Sequence, residues 1–372
     1  MLGLSSKTLR ECVRQSPFAC AHALDIMNML KRYALLFGSF FLLTLPMAGY
    51  AAEKRVLNVY NWDDYIDEQT IPEFEKAFNV KVNYDVYDSN ETLLAKLQAG
   101  ATGFDVIFPS DYMVEIMIKL GLLEPLDKSK ISNCATLDPA FLNQPFDPGN
   151  QYSLPFAFGT VGIGYRSDKI TKPVDSWKVL FDPQYEGRIV MLDDVRETLG
   201  VALKLVGGSI NTKNPDELEK AKEMILKQKP LVKAYLAGQA EQLLLSGDAW
   251  LVHNWSGDIY RAAAENPAIA YVIPEEGSTK FLDNFAIPVS AQNKELAHQF
   301  INFLLQPEVD ARIHNKVYFL STNKAAFPLL DPALRATLET LSPELLGKLE
   351  FVQDLGKETR FWDKIWTEIK TQ

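Results

Sequence analysis

Apolar and polar positions in the first third of the chain alternate in a way that predicts repeated strand–helix units. An apolar run at 55–60 predicts a buried strand, 68–78 a helix, and the alternating segment 80–86 a second strand. A third strand at 104–108 and a helix at 112–121 continue the order. Such alternation favours an α/β fold in which helices cover both faces of a parallel sheet.

Polar residues follow each of these predicted strands. Asp88 and Glu91 are three residues apart and predict a capping box that opens a helix at 91–99. In parallel sheets, ligands bind beyond the carboxyl ends of the strands. We therefore expect a binding site at the segments 61–65, 88–90 and 109–112.

A second α/β region follows the segment 156–165. The glycines of this segment predict a close approach of the backbone or a crossing between two domains. The later pattern predicts strand 188–192, helix 196–205, helix 215–227, strand 249–254 and helix 294–305. Because 372 residues exceed what one hydrophobic core usually supports, we expect two domains.

The amino terminus has the pattern of an export signal. Lys31 and Arg32 precede an apolar run at 33–45, which small residues follow. This run is shorter than the roughly 20 residues that a membrane-spanning helix needs. We therefore expect residues 1–51 to be an amino-terminal extension and cleaved signal peptide, with Met29 as the true start and the mature protein in the periplasm.

Charge and composition narrow the function further. The net charge of −10 becomes about −13 without residues 1–51, which argues against nucleic acid as a partner and is compatible with a cationic ligand. Cys134 is then the only cysteine, so the mature monomer has no disulfide. The histidines lack metal-ligand spacing, and no P-loop or nucleophile motif is present. We expect no metal, cofactor or catalytic residue.

Several acids stand beside aromatic residues or at predicted helix starts. They form the groups Trp62, Asp64 and Tyr65; Asp194 and Glu197; Trp255 and Asp258; and Phe281 and Asp283. Aliphatic ammonium ions need this combination, because carboxylates neutralise the charge while aromatic faces cover methylenes and attract the cation. Buried carboxylates without a cation would be costly.

Each of these residues also has an ordinary structural explanation. Trp62 or Trp255 alone is typical of core packing, and Asp88 and Asp193 are typical of helix N-caps. The location of all four groups at predicted strand ends or loops favours a shared binding role. Paired carboxylates with tryptophans also occur in glycosidases, so an exported carbohydrate-active enzyme is an alternative.

At these residues the chain resembles the spermidine/putrescine-binding periplasmic proteins of ABC importers, in bacterial solute-binding protein family 1. The resemblance runs from about Val56 to the carboxyl end and is carried by the segments 60–65, 87–91, 104–110, 126–130 and 301–307. It implies a monomeric, non-enzymatic protein that binds a polyamine and delivers it to an inner-membrane ABC permease complex. A polyamine sensor is the alternative role.

The resemblance also implies a two-lobed type II periplasmic binding protein fold with the ligand cleft between the lobes. Lobe 1 would comprise 52–158 plus 284–329, and lobe 2 would comprise 163–279 plus 335–372. The hinge crossings would lie near 159–163, 279–284 and 330–335.

Matched by position, the resemblance implies a set of ligand contacts. They are Trp62, Asp64, Tyr65, Ser110, Tyr112, Asp194, Glu197, Trp255, Asp258, Phe281, Asp283 and Phe319. Phe319 stands where the family usually has a tyrosine, so one hydroxyl contact would be missing. Tyr112 and Asp194 favour spermidine and Asp258 favours putrescine, and the balance favours spermidine.

Overall fold

The computed structural model describes residues 55–100, 103–340 and 342–372, and the predicted signal peptide lies outside them. The strands it describes are β1 (Arg55–Trp62), β2 (Val80–Tyr87), β3 (Val106–Ile107), β4 (Ser153–Arg166), β5 (Ile189–Leu192), β6 (Val232–Leu236), β7 (Leu251–Trp255), β8 (Ile269–Val272), β9 (Thr279–Ala286), β10 (Leu320–Ser321) and β11 (Glu350–Phe351).

The same residues contain twelve α-helices and several short 3₁₀ turns. The α-helices are α1 (Thr70–Phe78), α2 (Asn90–Gln98), α3 (Asp111–Lys119), α4 (Val195–Leu205), α5 (Pro215–Gln228), α6 (Ala240–Ser246), α7 (Ser256–Glu265), α8 (Lys294–Leu304), α9 (Pro307–Val317), α10 (Pro332–Thr340), α11 (Pro343–Lys348) and α12 (Thr359–Thr371). No helix in these described ranges is long and apolar enough to span a bilayer.

The first half of the sheet is built around β1, which pairs in parallel with β2 and β3. Successive side chains of a strand point to opposite faces of the sheet. Leu57 and Val59 accordingly pack in one core with α1 and α8, while Tyr60 packs in another with α2 and α3. Helices therefore cover both faces, as the alternation predicted.

The second half repeats this arrangement around β5, which pairs in parallel with β6 and β7. Ile189 and Met191 pack in one core against Trp177. Val190 and Val252 pack in a separate core with α6 and α7. Each half of the sheet thus has hydrophobic cores of its own.

The two halves meet at β4 and β9, in the strand order β2-β1-β3-β9-β4-β7-β5-β6. Residues 153–160 of β4 pair with β9, and residues 161–165 pair with β7. All of these pairings are antiparallel, so the sheet as a whole is mixed, whereas the parallel pairing predicted from the first third of the chain is present among β1, β2 and β3. Parallel pairing holds among β1, β2 and β3 and among β5, β6 and β7, whereas β9 runs antiparallel to β3, and β4 runs antiparallel to both β9 and β7.

Candidate functional site

Asp283 is the centre of a hydrogen-bonded group at the junction of the two halves. Its side chain lies in β9 and is 4% exposed. Tyr65 Oη donates to Asp283 Oδ2 at 2.5 Å, and Ser110 Oγ donates to Oδ1 at 2.6 Å. Asn90 Nδ2 in turn donates to Ser110 Oγ at 3.0 Å. Burial raises the pKa of Asp283 to about 6, although these hydroxyl donors counteract the rise.

The location of this acid corrects one prediction. Phe281 and Asp283 lie inside β9 and not at a strand end or in a loop. Polar residues in the middle of a central strand are costly unless they are hydrogen-bonded. Asp283 meets this requirement through the hydroxyl groups of Tyr65 and Ser110, and the Phe281 ring packs beside Phe319.

Three aromatic rings form a continuous wall beside this acid. The ring centroids of Tyr65 and Phe319 are 5.2 Å apart, and those of Phe319 and Phe281 are 5.8 Å apart. Two glycines make room for the wall: a Cβ added at Gly159 would overlap the Phe281 ring, and one at Gly257 would come within 2.7 Å of Phe319. The glycines therefore determine where the rings lie.

We expect Gly159→Ala to destabilise the protein by about 1–3 kcal/mol, because the added methyl group overpacks the Phe281 ring. The denaturant midpoint of the variant would fall accordingly. Gly238→Ala is the matched control, since a Cβ there meets no atom within 4 Å. Equal midpoints for the two variants would contradict the assigned close contact.

Trp62 and Tyr112, two of the predicted contacts, belong to the first half of the sheet and its helices. Trp62 Nε1 donates to the Phe108 carbonyl oxygen at 2.9 Å, which fixes the half-buried indole. Tyr112 Oη donates to Glu91 Oε1 at 3.0 Å. Glu91 therefore faces the cleft and does not close a capping box, and Ser89 is the N-cap of α2 instead of Asp88.

Asp194 and Glu197 stand at the start of α4 on the second-half side. Asp194 Oδ1 accepts from the backbone N–H groups of Arg196 at 2.8 Å and Glu197 at 2.9 Å, so Asp194 is the helix N-cap. The predicted alternative cap, Asp193, pairs with Lys370 at 2.7 Å. Burial and then the Asp194 charge raise the pKa of Glu197 to about 8.

Tyr112 connects this side with the first half. Burial raises the pKa of its phenol well above the ordinary value, and the charges of Glu91 and Asp194 add to that rise. Tyr112, Glu91 and Asp194 therefore lie near one another. Glu91 was not among the predicted contacts, because the sequence suggested a helix-capping role for it.

Trp255 and Asp258 stand at the end of β7 and in the first turn of α7. Half-buried Trp255 packs against the cores of both halves. Burial, followed by the charge of Glu241, raises the pKa of Asp258 to about 7, while Arg261 opposes the rise. Arg261 Nη1 also donates to Asp64 Oδ2 at 2.7 Å, so the predicted residues Asp64 and Asp258 share one cation.

Asp111 is an acid of the junction that sequence reasoning missed. Its Oδ2 accepts from the backbone N–H of Leu282 at 2.8 Å, and its Oδ1 accepts from that of Tyr112 at 2.7 Å. Burial raises its pKa to about 8. The available signal was its position directly after the predicted contact Ser110. Its carboxyl anchors β9 next to Asp283.

His253, His314 and Cys134 are buried or half-buried within the folded protein. His253 and His314 are fully buried, and burial lowers their pKa values to about 3 and about 4. Cys134 is free and half-buried. In the part of the chain that the structure describes, no group of three or more histidine, cysteine or acidic side chains could hold a metal.

Two α/β halves joined through shared strands, with acids and aromatic rings on both sides of the junction, define a two-lobed type II periplasmic binding protein. This confirms the predicted fold class. The chain belongs to the bacterial extracellular solute-binding protein family, whose sequence model matches residues 69–336. The family consists of transport components, which confirms the prediction that the protein is not an enzyme.

Relatives and solved structures cover most of the chain. The putrescine-binding periplasmic protein SpuD of Pseudomonas aeruginosa is 39% identical over 89% of this chain and 97% of its own length. The spermidine/putrescine-binding periplasmic protein of Escherichia coli is 36% identical over 87% and 94%. The spermidine/putrescine ABC transporter substrate-binding protein PotD of Streptococcus pneumoniae is 32% identical, with a TM-score of 0.74 over 86% and 99%. The predicted family resemblance is thereby confirmed.

Proposed function

We propose that this protein binds a polyamine in its cleft and delivers it to an ABC permease complex. The observation that carries the proposal is Asp283, a buried carboxyl that receives two hydroxyl hydrogen bonds beside a wall of aromatic rings. An ammonium group can neutralise this carboxylate while the ligand methylenes pack on Phe281, Phe319 and Tyr65. The names of the relatives, which include putrescine and spermidine, support the same ligand class.

Burial of several acids in one cleft supports a ligand with more than one positive charge. Asp283, Asp258 and Glu197 have pKa values raised to about 6, about 7 and about 8, chiefly by burial. Each raised pKa means that the free protein bears an electrostatic cost for ionising that group. A polycation removes this cost at two or more points, which a neutral sugar does not.

The remaining predicted contacts complete the proposed site. Trp62 and Trp255 would cover the ligand chain, while Asp64, Ser110, Tyr112 and Asp194 would provide polar groups around it. We keep spermidine as the favoured ligand, on the basis of Tyr112 and Asp194. The N-cap role of Asp194 is compatible with a ligand contact, because its cap bonds both use Oδ1.

The lobes and hinges are part of the proposal. The partner exchange of β4 between residues 160 and 161 supports a crossing within 159–163, and β9 supports one within 279–284. A third crossing near 330–335 would include the start of α10. We propose that the ligand stabilises the closed arrangement of lobes 52–158 plus 284–329 and 163–279 plus 335–372, because only closure brings both sets of acids to it.

The cellular setting follows from the same proposal. Export through the predicted signal at 1–51 would place the mature protein in the periplasm, where the named relatives function. The acidic net charge supports a cationic small-molecule ligand and argues against nucleic acid. We propose that the mature chain functions as a monomer that docks on its permease.

Isothermal titration of the mature protein with putrescine, cadaverine, spermidine and spermine tests the proposal directly. We expect saturable one-to-one binding of at least one of these amines. Butane-1,4-diol and butylamine are the controls, because they keep the carbon chain but lack both or one of the terminal charges. Absence of heat with all four polyamines, or equal binding of the diol, would overturn the proposed function.

A further inference from the structure

Arg261 forms ion pairs with three acidic side chains. Its Nη1 donates to Asp64 Oδ2 at 2.7 Å and its Nη2 to Asp258 Oδ1 at 3.1 Å, while Glu241 Oε1 lies 3.5 Å from Nη2. The acids come from different parts of the fold: the turn after β1, α7 and α6. Asp64 and Asp258 are two of the carboxylates that the resemblance assigns to ligand ammonium groups.

We infer that Arg261 is a specificity-determining residue: its guanidinium replaces one ligand charge at Asp258 and thereby limits how many ammonium groups the ligand can place in the cleft. This inference rests on the proposed polyamine function and extends it. It concerns the ratio of affinities for a diamine and a triamine, whichever of the two the protein prefers.

The Arg261 side chain and two of its three acidic partners are largely shielded from solvent. The side chain of Arg261 is 20% exposed, those of Asp258 and Glu241 are 17% and 5% exposed, and only Asp64 is largely in solvent. A guanidinium does not deprotonate in proteins, so Arg261 places one fixed positive charge among these three acids. A ligand ammonium that approached Asp258 would also meet the like charge of Arg261.

Asp258 nevertheless belongs to the ligand cleft. Its charge is the last of five contributions to the raised pKa of the Tyr65 phenol, after burial, the charge and hydrogen bond of Asp283, and the charge of Tyr87. The next-door residue Gly257 lies against the Phe319 ring. An ammonium group at the end of a longer amine, with its first charges at Asp283 and Glu197, could therefore reach Asp258 if Arg261 were neutral.

A purely mechanical role for Arg261 predicts something different. The Arg261–Asp64 pair joins the two sides of the cleft, and loss of a pair that only stabilises closure would weaken every ligand by the same factor. A change in charge at Asp258 instead affects a triamine more than a diamine. The ratio of the affinities for a triamine and a diamine therefore distinguishes the two roles, whereas a single affinity does not.

The test compares putrescine and spermidine on the mature wild type and on Arg261→Gln by isothermal titration. We expect the preference for spermidine over putrescine to rise by at least tenfold in Arg261→Gln, because the freed carboxylate gains a charge-assisted hydrogen bond to the third ammonium. Arg261→Lys keeps the charge and should keep the wild-type ratio. In Arg261→Gln/Asp258→Asn the gain should disappear.

An unchanged ratio in Arg261→Gln, or equal losses for both amines, would overturn the inference while leaving the proposed function intact. Failure of the wild type to bind either amine would overturn the proposed function itself. Should Arg261→Gln not fold with its acids unpaired, Arg261→Gln/Glu241→Gln removes the nearly buried charge and should show the same tenfold change. No change in ratio in that folded variant would also reject the inference.

Discussion

Replacing Asp283 with asparagine is expected to weaken polyamine binding by about 10- to 150-fold. The substitution keeps the shape of the side chain but removes the charge that an ammonium group would contact. Charge-assisted hydrogen bonds contribute roughly 1.5–3 kcal/mol, which corresponds to this range at about 1.4 kcal/mol per decade. The dissociation constant from isothermal titration is the measurement.

Asp85→Asn is the matched control, because Asp85 is an exposed acid in β2 and loses the same charge. It should bind the ligand as the wild type does. Asp283→Asn should also be at least as stable as the wild type without ligand, since it removes a buried charge at neutral pH. A wild-type dissociation constant in Asp283→Asn would reject the central role of this carboxyl.

Affinity for the ligand is expected to fall by about 100-fold or more between pH 8 and pH 5. In the free protein the pKa values of Asp283 and Glu197, the two acids assigned to ligand ammonium groups, are raised to about 6 and about 8. A bound cation favours the ionised carboxylates, so binding releases protons in this range. Each carboxyl that must ionise costs about a factor of ten in affinity per pH unit below its pKa.

The affinity for the ligand and the stability of the unliganded protein should depend on pH with opposite signs. In the unliganded protein, a carboxyl whose folded pKa exceeds its unfolded value of about 4 binds more protons when folded, so the stability contributed by that group rises as pH falls from 8 towards 5. Affinity should therefore decrease over a range in which these groups favour folding.

Titrations in two buffers with different ionisation enthalpies would count the protons released on binding, and the Glu197→Gln variant should release fewer of them. Affinity that is constant between pH 8 and pH 5 would contradict the expected linkage.

Much of the fold could be predicted from periodicity alone. The strands and helices of the first third, and the helices α4 and α5, begin within two residues of their predicted positions. Their hydrophobic faces follow the period of the element, because each packs on a core of its own half. The missed elements include β9, in which Lys280, Asp283 and Asn284 interrupt the apolar pattern, and also β6, β8 and α9. Helix α7 was also missed, since its first residues, Ser256 and Gly257, are typical of a loop.

The individual residues of the site were more predictable from the sequence than the hydrogen bonds between them. Asp283, Tyr65 and Ser110 were named individually, but their hydrogen bonds join residues 218 and 173 positions apart in the chain. Arg261 and Asp64 are 197 positions apart, and nothing in either local sequence indicates the pair. Such contacts depend on how the two halves of the sheet meet, which local patterns do not specify.

The continuous strand β4 has a consequence for how the chain acquires its structure. One half of the sheet needs β9, which is more than 100 residues beyond β4 in the sequence, and the other half begins on β4 itself. The growing polypeptide therefore cannot complete its first core until most of the chain has been synthesised. Because the pairing of β4 with β9 also closes a long loop, folding is expected to be slow. Slow folding of this kind is compatible with the export proposed above, because an extended chain passes more easily through a narrow channel than a compact one.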